Sequence, residues 1–352
     1  MKPLSYAAVV LLCLVAVALT GCGKPAPPEA TTAQQPLVEG QTGSAEPKAK
    51  ALKIAMIAKS STNPVFLSAR TGAEAAAKEL SAKHGCEITI DWRTPPTEDG
   101  TVQAQRIAQA VNEGANCVLI SCSDAAKVTG AIDDAVSRGV PVMTFDSDAP
   151  GSKRFAFYGV DDIKTGAMVM DELAPLIGQK GKVAILAGNQ NAPNLQKRVQ
   201  GAKEAAKKYP GIEIVGTFYH VETPQDAAAE VTRVMNAYPG IRGWAMIGGW
   251  PLFTKSLLTT LDPKKVTVVS VDALPAELPY VEKGIAPVLL AQPTYNWGYV
   301  SVQKIVDKLL LNLEVPVVNE MELIRVTKDN LGEWARQLKD WGFEDVPEEY
   351  LK

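Results

Sequence analysis

The chain has 352 residues and a formal net charge of −3. Its 46% hydrophobic and 21% charged residues are ordinary for a globular protein, and the charge leaves no basic footprint for nucleic acid. Beyond the N-terminus no apolar stretch is long enough to cross a bilayer.

Lys2 is followed by an uncharged apolar run from Ala7 to Leu19, which ends in Leu19-Thr20-Gly21-Cys22. A positive start, a short apolar run and small residues at a cleavage point make an export signal rather than a membrane span. A cysteine directly after the small residues resembles the bacterial lipoprotein signal, which implies cleavage before Cys22 and lipid on its sulfur. Residues 1–21 are therefore read as signal peptide and 22–50 as lipid anchor and flexible tether. Gly23 to Lys50 is rich in Pro, Ala, Thr, Gln and Glu without a periodic apolar pattern, so it lacks the surface to offset ordering entropy. The expected location is the cell envelope, periplasm or outer cell surface, with the membrane reached only through the lipid.

From Leu52 onward β-rich runs alternate with helical ones. Strands are expected at Lys53–Ala58, Glu87–Asp91, Cys117–Ser121, Val140–Phe145 and Phe155–Val160, with helices from Pro64 to Lys83, from Gly100 to Asn112, and up to Arg138. The pattern then restarts. Asp161 or Asp162 caps a helix to Ile177, and strands at Lys182–Ala187, Ile212–Tyr219, Gly243–Ile247 and Val266–Val271 alternate with helices at 192–208, 224–237 and 252–261. A strand at Pro287–Gln292, a helix at Thr294–Leu311, a short strand at Val315–Val318 and a tail helix at Leu331–Trp341 complete the chain. Near-continuous apolar strands between helices imply parallel sheets covered on both faces. The fold class is α/β, with two Rossmann-like doubly wound lobes joined by a three-segment hinge. The lobes are placed at 51–159 plus 293–326 and at 160–292 plus 327–352. Three crossings suit closure around a ligand.

Cys86, Cys117 and Cys122 lie in the mature region, and three thiols cannot all pair within one chain. Each sits in or beside an apolar strand, so buried free thiols are expected, with Cys117 and Cys122 facing opposite sides. His84 and His220 fall at no ligand-like spacing, so neither metal nor cofactor is expected.

Ligands bind beyond the carboxyl ends of strands in open parallel sheets. The residues found there include Lys59, Ser60, Thr62, Asn63, Phe66, Asp146, Asn194, Trp250, Asp272 and Gln292. Amides and carboxylates bond neighbouring hydroxyls, and aromatic faces stack on the apolar face of a sugar ring. Each has a plainer reading: Asp146 and Asp272 as helix caps, Phe66 and Trp250 as core. Two glycines before Trp250 leave room for its bulk at the cleft.

Five segments, in order, resemble the ribose-binding-protein-like periplasmic binding proteins. They are Lys53-Ile-Ala-Met-Ile-Ala-Lys-Ser-Ser-Thr-Asn-Pro-Val-Phe66, Pro141-Val-Met-Thr-Phe-Asp146, Asn194-Leu-Gln-Lys-Arg198-Val-Gln-Gly201, Val268-Val-Ser-Val-Asp272 and Ala291-Gln292. The resemblance implies a sugar or polyol between two lobes, delivered to an ABC permease by a monomer. It implies ligand contacts from Asn63, Phe66, Asp146, Asn194, Arg198, Trp250, Asp272 and Gln292, with the arginine position open between Gln196 and Arg198. Ser147 replaces the family's Arg after the fourth strand, the family's Asn near Gly249-Trp250 is absent, and Val65 replaces an aromatic, which counts against ribose itself. A LacI-type repressor would need a DNA-binding motif where the export signal lies. The alternatives are a sugar receptor for a chemosensory or signalling partner, and a glycosidase using Asp146 and Asp272. The enzyme reading is not adopted, since no positioned nucleophile accompanies the two carboxyls.

Overall fold

The computed structural model describes residues 51–352; the export signal, Cys22 and the tether lie outside the described residues. The apolar runs become strands β1 (Ala51–Ile57), β2 (Glu87–Trp92), β3 (Cys117–Ile120), β4 (Val142–Phe145) and β5 (Ala156–Gly159). Between them run helices α1 (Pro64–His84), α2 (Gly100–Asn112) and α3 (Ala125–Ser137). The second series is α4 (Asp162–Leu176), β6 (Lys180–Ala187), α5 (Pro193–Ala206), β7 (Gly211–Tyr219), α6 (Pro224–Ala237), β8 (Ile241–Met246) and β9 (Thr267–Val271). Then come α7 (Leu278–Glu282), β10 (Val288–Ala291), α8 (Thr294–Leu309), β11 (Val318–Glu320), β12 (Ile324–Val326) and α9 (Leu331–Asp340).

Two six-stranded sheets result, ordered β11-β5-β4-β3-β1-β2 and β12-β10-β9-β8-β6-β7. The pairs are parallel except β10–β12. Strands β3, β4 and β10 are buried along their whole length, as strands covered on both faces must be. On the first sheet, Phe66, Ala69, Trp297 and Ile305 cover one face, while Ile107, Val128 and Ile132 cover the other. Cys117 packs with the first group and Cys122 with the second, so the two thiols lie on opposite faces, free and buried.

Helix starts follow side-chain chemistry. Asn63, Asp99, Asp124, Asp161 and Thr223 each accept backbone N–H groups of the turn that follows. Asp161 is the cap of α4, which frees Asp162 for another role.

Two elements differ from the sequence pattern. Ile324–Val326, assigned above to the first lobe through its 293–326 bound, pairs with β10 of the second sheet, so the last crossing falls just after Met321. Its three residues are too short for period-two patterning to reveal. The helix expected over 252–261 is instead a 3₁₀ turn at Trp250–Leu252 followed by further turns. Hydroxyl groups compete with helical bonding there, as Thr259 donates to the Ser256 carbonyl at 2.8 Å.

The C-terminal tail touches both lobes. Trp334 of α9 donates its indole N–H to the Ala273 carbonyl at 2.7 Å, anchoring it beside β9. Trp341 packs edge-on to Trp334 and stacks on Tyr295 of α8 with ring centroids 5.6 Å apart. Tyr295 in turn stacks on Tyr299.

Candidate functional site

The carboxyl ends of the two sheets face each other, and buried polar side chains collect there. Two of them leave their strands in the left-handed region, Asp146 at φ 56° and Asp272 at φ 76°. Such a turn is uncommon outside glycine and marks positions that the surroundings hold in place.

In the first lobe, Asp146 accepts the Ser121 hydroxyl at 2.7 Å and, across the cleft, the Asn194 amide at 3.1 Å. The Lys59 ammonium donates to Asn194 Oδ1 at 3.2 Å and lies 3.6 Å from Asp146 Oδ2. Burial by itself lowers the affinity of Lys59 for its proton, but Asp146, Glu98 and Glu222 outweigh it, so the group stays charged.

In the second lobe, Arg198 is enclosed. Its Nε donates to Asp162 at 2.8 Å, Nη1 to the Ile247 carbonyl at 3.2 Å and Nη2 to Gln292 at 2.8 Å. Gln292 passes its own amide to Asp272 at 2.9 Å, and Asp272 also accepts the Gly249 N–H at 3.2 Å. Burial raises Asp162 to about 6 and pushes Asp272 upward, against the pull of Arg198 on both. Behind Asp272, burial raises fully enclosed Glu277 well above the carboxylate range, and the charge of Asp272 adds to it. Helix α5 reaches this place because α4 carries Gly166: a Cβ there would lie 1.8 Å from the Arg198 carbonyl oxygen. Arg198, rather than Gln196, therefore enters the network; Gln196 donates outward to the Gln190 carbonyl.

Of the eight residues expected at the site, Asp146, Asn194, Arg198, Asp272 and Gln292 form this network. Asn63 stands at the start of α1, where its Oδ1 accepts the Val65 N–H at 3.2 Å. The two aromatics turn to the cores. Phe66 stacks on Trp297 at 6.0 Å, and Trp250 fills the space over Gly188 and Gly248 with its N–H on Glu222 at 3.1 Å. The glycines admit the Trp250 indole, which is buried in the lobe yet backs the cleft wall, edge-on to His220 with centroids 4.9 Å apart. Ser121 was not named from sequence, while Lys59 was placed at the strand end and Asp162 as an alternative cap, neither as a ligand contact. A lysine beside a Ser/Thr turn reads as solvated, and only its cross-lobe neighbours reveal otherwise.

Beside the network the cleft opens into a cavity of about 480 Å³, walled by Ser60, Thr62 and Glu98 of the first lobe and by Asn189, His220 and Glu222 of the second. Asn189 donates to Glu98 at 3.3 Å, bridging the lobes. The arrangement as a whole offers paired donors and acceptors to a small polyhydroxylated molecule and holds them from two bodies joined by three crossings.

A model of the periplasmic binding protein domain matches residues 54–311. The chain belongs to the periplasmic binding protein family. It is 30% identical to a ribose import binding protein of Bacillus subtilis, over 40% of this chain and 43% of that protein. A xylose/arabinose-binding protein of Sulfolobus acidocaldarius is 21% identical over 70% of this chain and 63% of its own length. The chain thus spans less than two thirds of these relatives. Among solved structures, an ABC transporter solute binding protein from Burkholderia graminis in complex with D-arabinose is 26% identical with a TM-score of 0.75, covering 81% of this chain and 98% of that one. These likenesses place the protein with the ribose-binding-like members of the family and match its two parallel-sheet lobes.

Proposed function

We propose that this protein is the substrate-binding lipoprotein of an ABC importer, capturing a monosaccharide or similar polyol between its lobes. The observation that carries the reading is the buried network from Asp146 through Asn194 to Lys59 and from Asp272 through Gln292 to Arg198, each half reaching the cleft. Sugar hydroxyls would exchange for the bonds these groups now make with one another. Asn63, Asp146, Asn194, Arg198, Asp272 and Gln292 are the proposed contacts, with Lys59 added. Phe66 and Trp250 act from behind by fixing Trp297 and Glu222.

The relatives named above support the substrate class by what they bind, ribose, xylose or arabinose. In this reading the protein is exported, held by lipid on Cys22, works as a monomer, docks closed on its permease and performs no chemistry on its ligand. The lobes are proposed as 51–159 with 293–323, and 160–292 with 324–352. A thermal-unfolding screen against sugars, polyols, nucleosides and amino acids tests it. A ligand at hundredfold excess over its Kd adds about 2.7 kcal/mol. A shift with a sugar or polyol supports the reading; a shift with amino acids or nucleosides alone overturns the substrate class.

A further inference from the structure

The cavity beside the network has an unusual charge balance. Glu98 and Glu222 come from opposite lobes and meet at its wall, where both accept from Asn189. Glu222 is held by the Asn189 N–H at 2.9 Å and the Trp250 N–H at 3.1 Å. Glu98 Oε1 is out of solvent with no hydrogen-bond partner among the described residues. His220 donates through Nδ1 to the Val221 carbonyl at 2.7 Å in its neutral form, and burial lowers its affinity for a second proton. Its Nε2 is a second buried acceptor without a partner among the described residues. The nearest cation, Lys59, spends its hydrogen bond on Asn194 and its closest contact on Asp146. Around the interlobe space, Asp146, Asp162, Asp272, Glu98 and Glu222 face two buried cations, Lys59 and Arg198, with exposed Lys197 also acting on Asp162. A neutral sugar in the network would leave this wall short of donors.

We infer that the cavity walled by Glu98, His220 and Glu222 is a subsite for a positively charged amino group, so that the ligand is an amine-bearing sugar or polyol. This rests on the proposed sugar-binding function and narrows it. An ammonium placed between the two carboxyls supplies donors to Glu98 Oε1 and His220 Nε2 and sets a positive charge against two acidic groups. Among the described residues no trio of His, Cys, Asp and Glu is placed to hold a metal ion, so an organic cation is the fitting occupant. Sugar phosphates and sugar acids are disfavoured by the same balance.

Titration calorimetry on the purified protein with matched pairs tests this: glucosamine against glucose, and 1-amino-1-deoxy-sorbitol against sorbitol. The amine-bearing member should bind at least about tenfold more tightly. Glu222→Gln and Glu98→Gln, both close in shape to the native residue, should each bring the ratio to within about threefold. Circular dichroism confirms that the variants are folded, and the ratio is read within each variant. Equal or weaker binding of the amine-bearing members overturns the inference while leaving the sugar-binding function in place. An amine preference that survives both substitutions also overturns it. Binding of no member of either pair, alongside no sugar in the thermal screen, removes both.

Discussion

Asp146 and Asp272 leave the ends of their strands with a positive φ, one in each lobe, and each carboxylate then accepts an amide, from Asn194 and Gln292 respectively. The chain thus repeats one solution in both halves. A strand that ends in an uncommon backbone conformation aims a carboxylate at the cleft, at a local cost that the surrounding bonds offset.

Asp272→Ala should abolish tight binding while the protein stays folded, because a ligand hydroxyl loses its charged acceptor and Gln292 loses the partner that orients it. A loss of about a hundredfold or more in affinity is expected. Calorimetry checks it, and unchanged affinity removes Asp272 from the site.

Asp146→Ala should be costly for stability as well, by about 3–5 kcal/mol, because Lys59 is left buried without its nearest carboxylate. Adding Lys59→Met should recover part of the loss. Denaturant unfolding of the two single variants and the double variant measures the coupling; additive effects would mean that the pair does not interact.

Gly166→Ala should destabilise by about 1–3 kcal/mol and weaken binding, since the new methyl group pushes on the Arg198 backbone. Binding that survives while stability falls would separate helix packing from the placement of the guanidinium.

Stability should rise as pH falls from about 7 to about 5, opposite to the behaviour of a protein dominated by salt-bridged carboxylates. Burial raises Glu98, Glu277 and Asp162, the last to about 6. A carboxyl raised in the folded state gives stability that is complete below its unfolded value and is lost as pH rises through the folded one. His220, lowered by burial, opposes the rise over this same window but is one group against three; Glu230 and Glu113, held low by Arg233 and Arg93, also act in the other sense. Their contribution disappears only below about pH 4 and is screened at the surface. Thermal midpoints across this range should therefore peak near about pH 5; a midpoint still climbing toward neutrality would contradict the assignment.

The alternation of apolar strands with helices was legible from Leu52 onward, as were Asp146, Asp272 and Gln292, because strand ends in parallel sheets are where ligand groups gather. The burial of Lys59 was not, nor were Glu98 and Glu222. Each is a charged residue in a polar turn, and its burial comes from residues far along the chain in the opposite lobe. Phe66 and Trp250 sit where aromatic ligand contacts would lie, yet their rings turned inward because Trp297 and the bare backbones of Gly188 and Gly248 offered them packing. The strand at Ile324–Val326 has too few residues to announce itself.

The column Trp334–Trp341–Tyr295–Tyr299 runs from the interior of one lobe onto a helix of the other. Any change in the angle between the lobes must slide or part the Trp341–Tyr295 stack, and with it alter the surroundings of an indole. In the proposed reading, closure of the lobes on a ligand should therefore change the protein's own ultraviolet emission, which follows capture in real time without an attached dye.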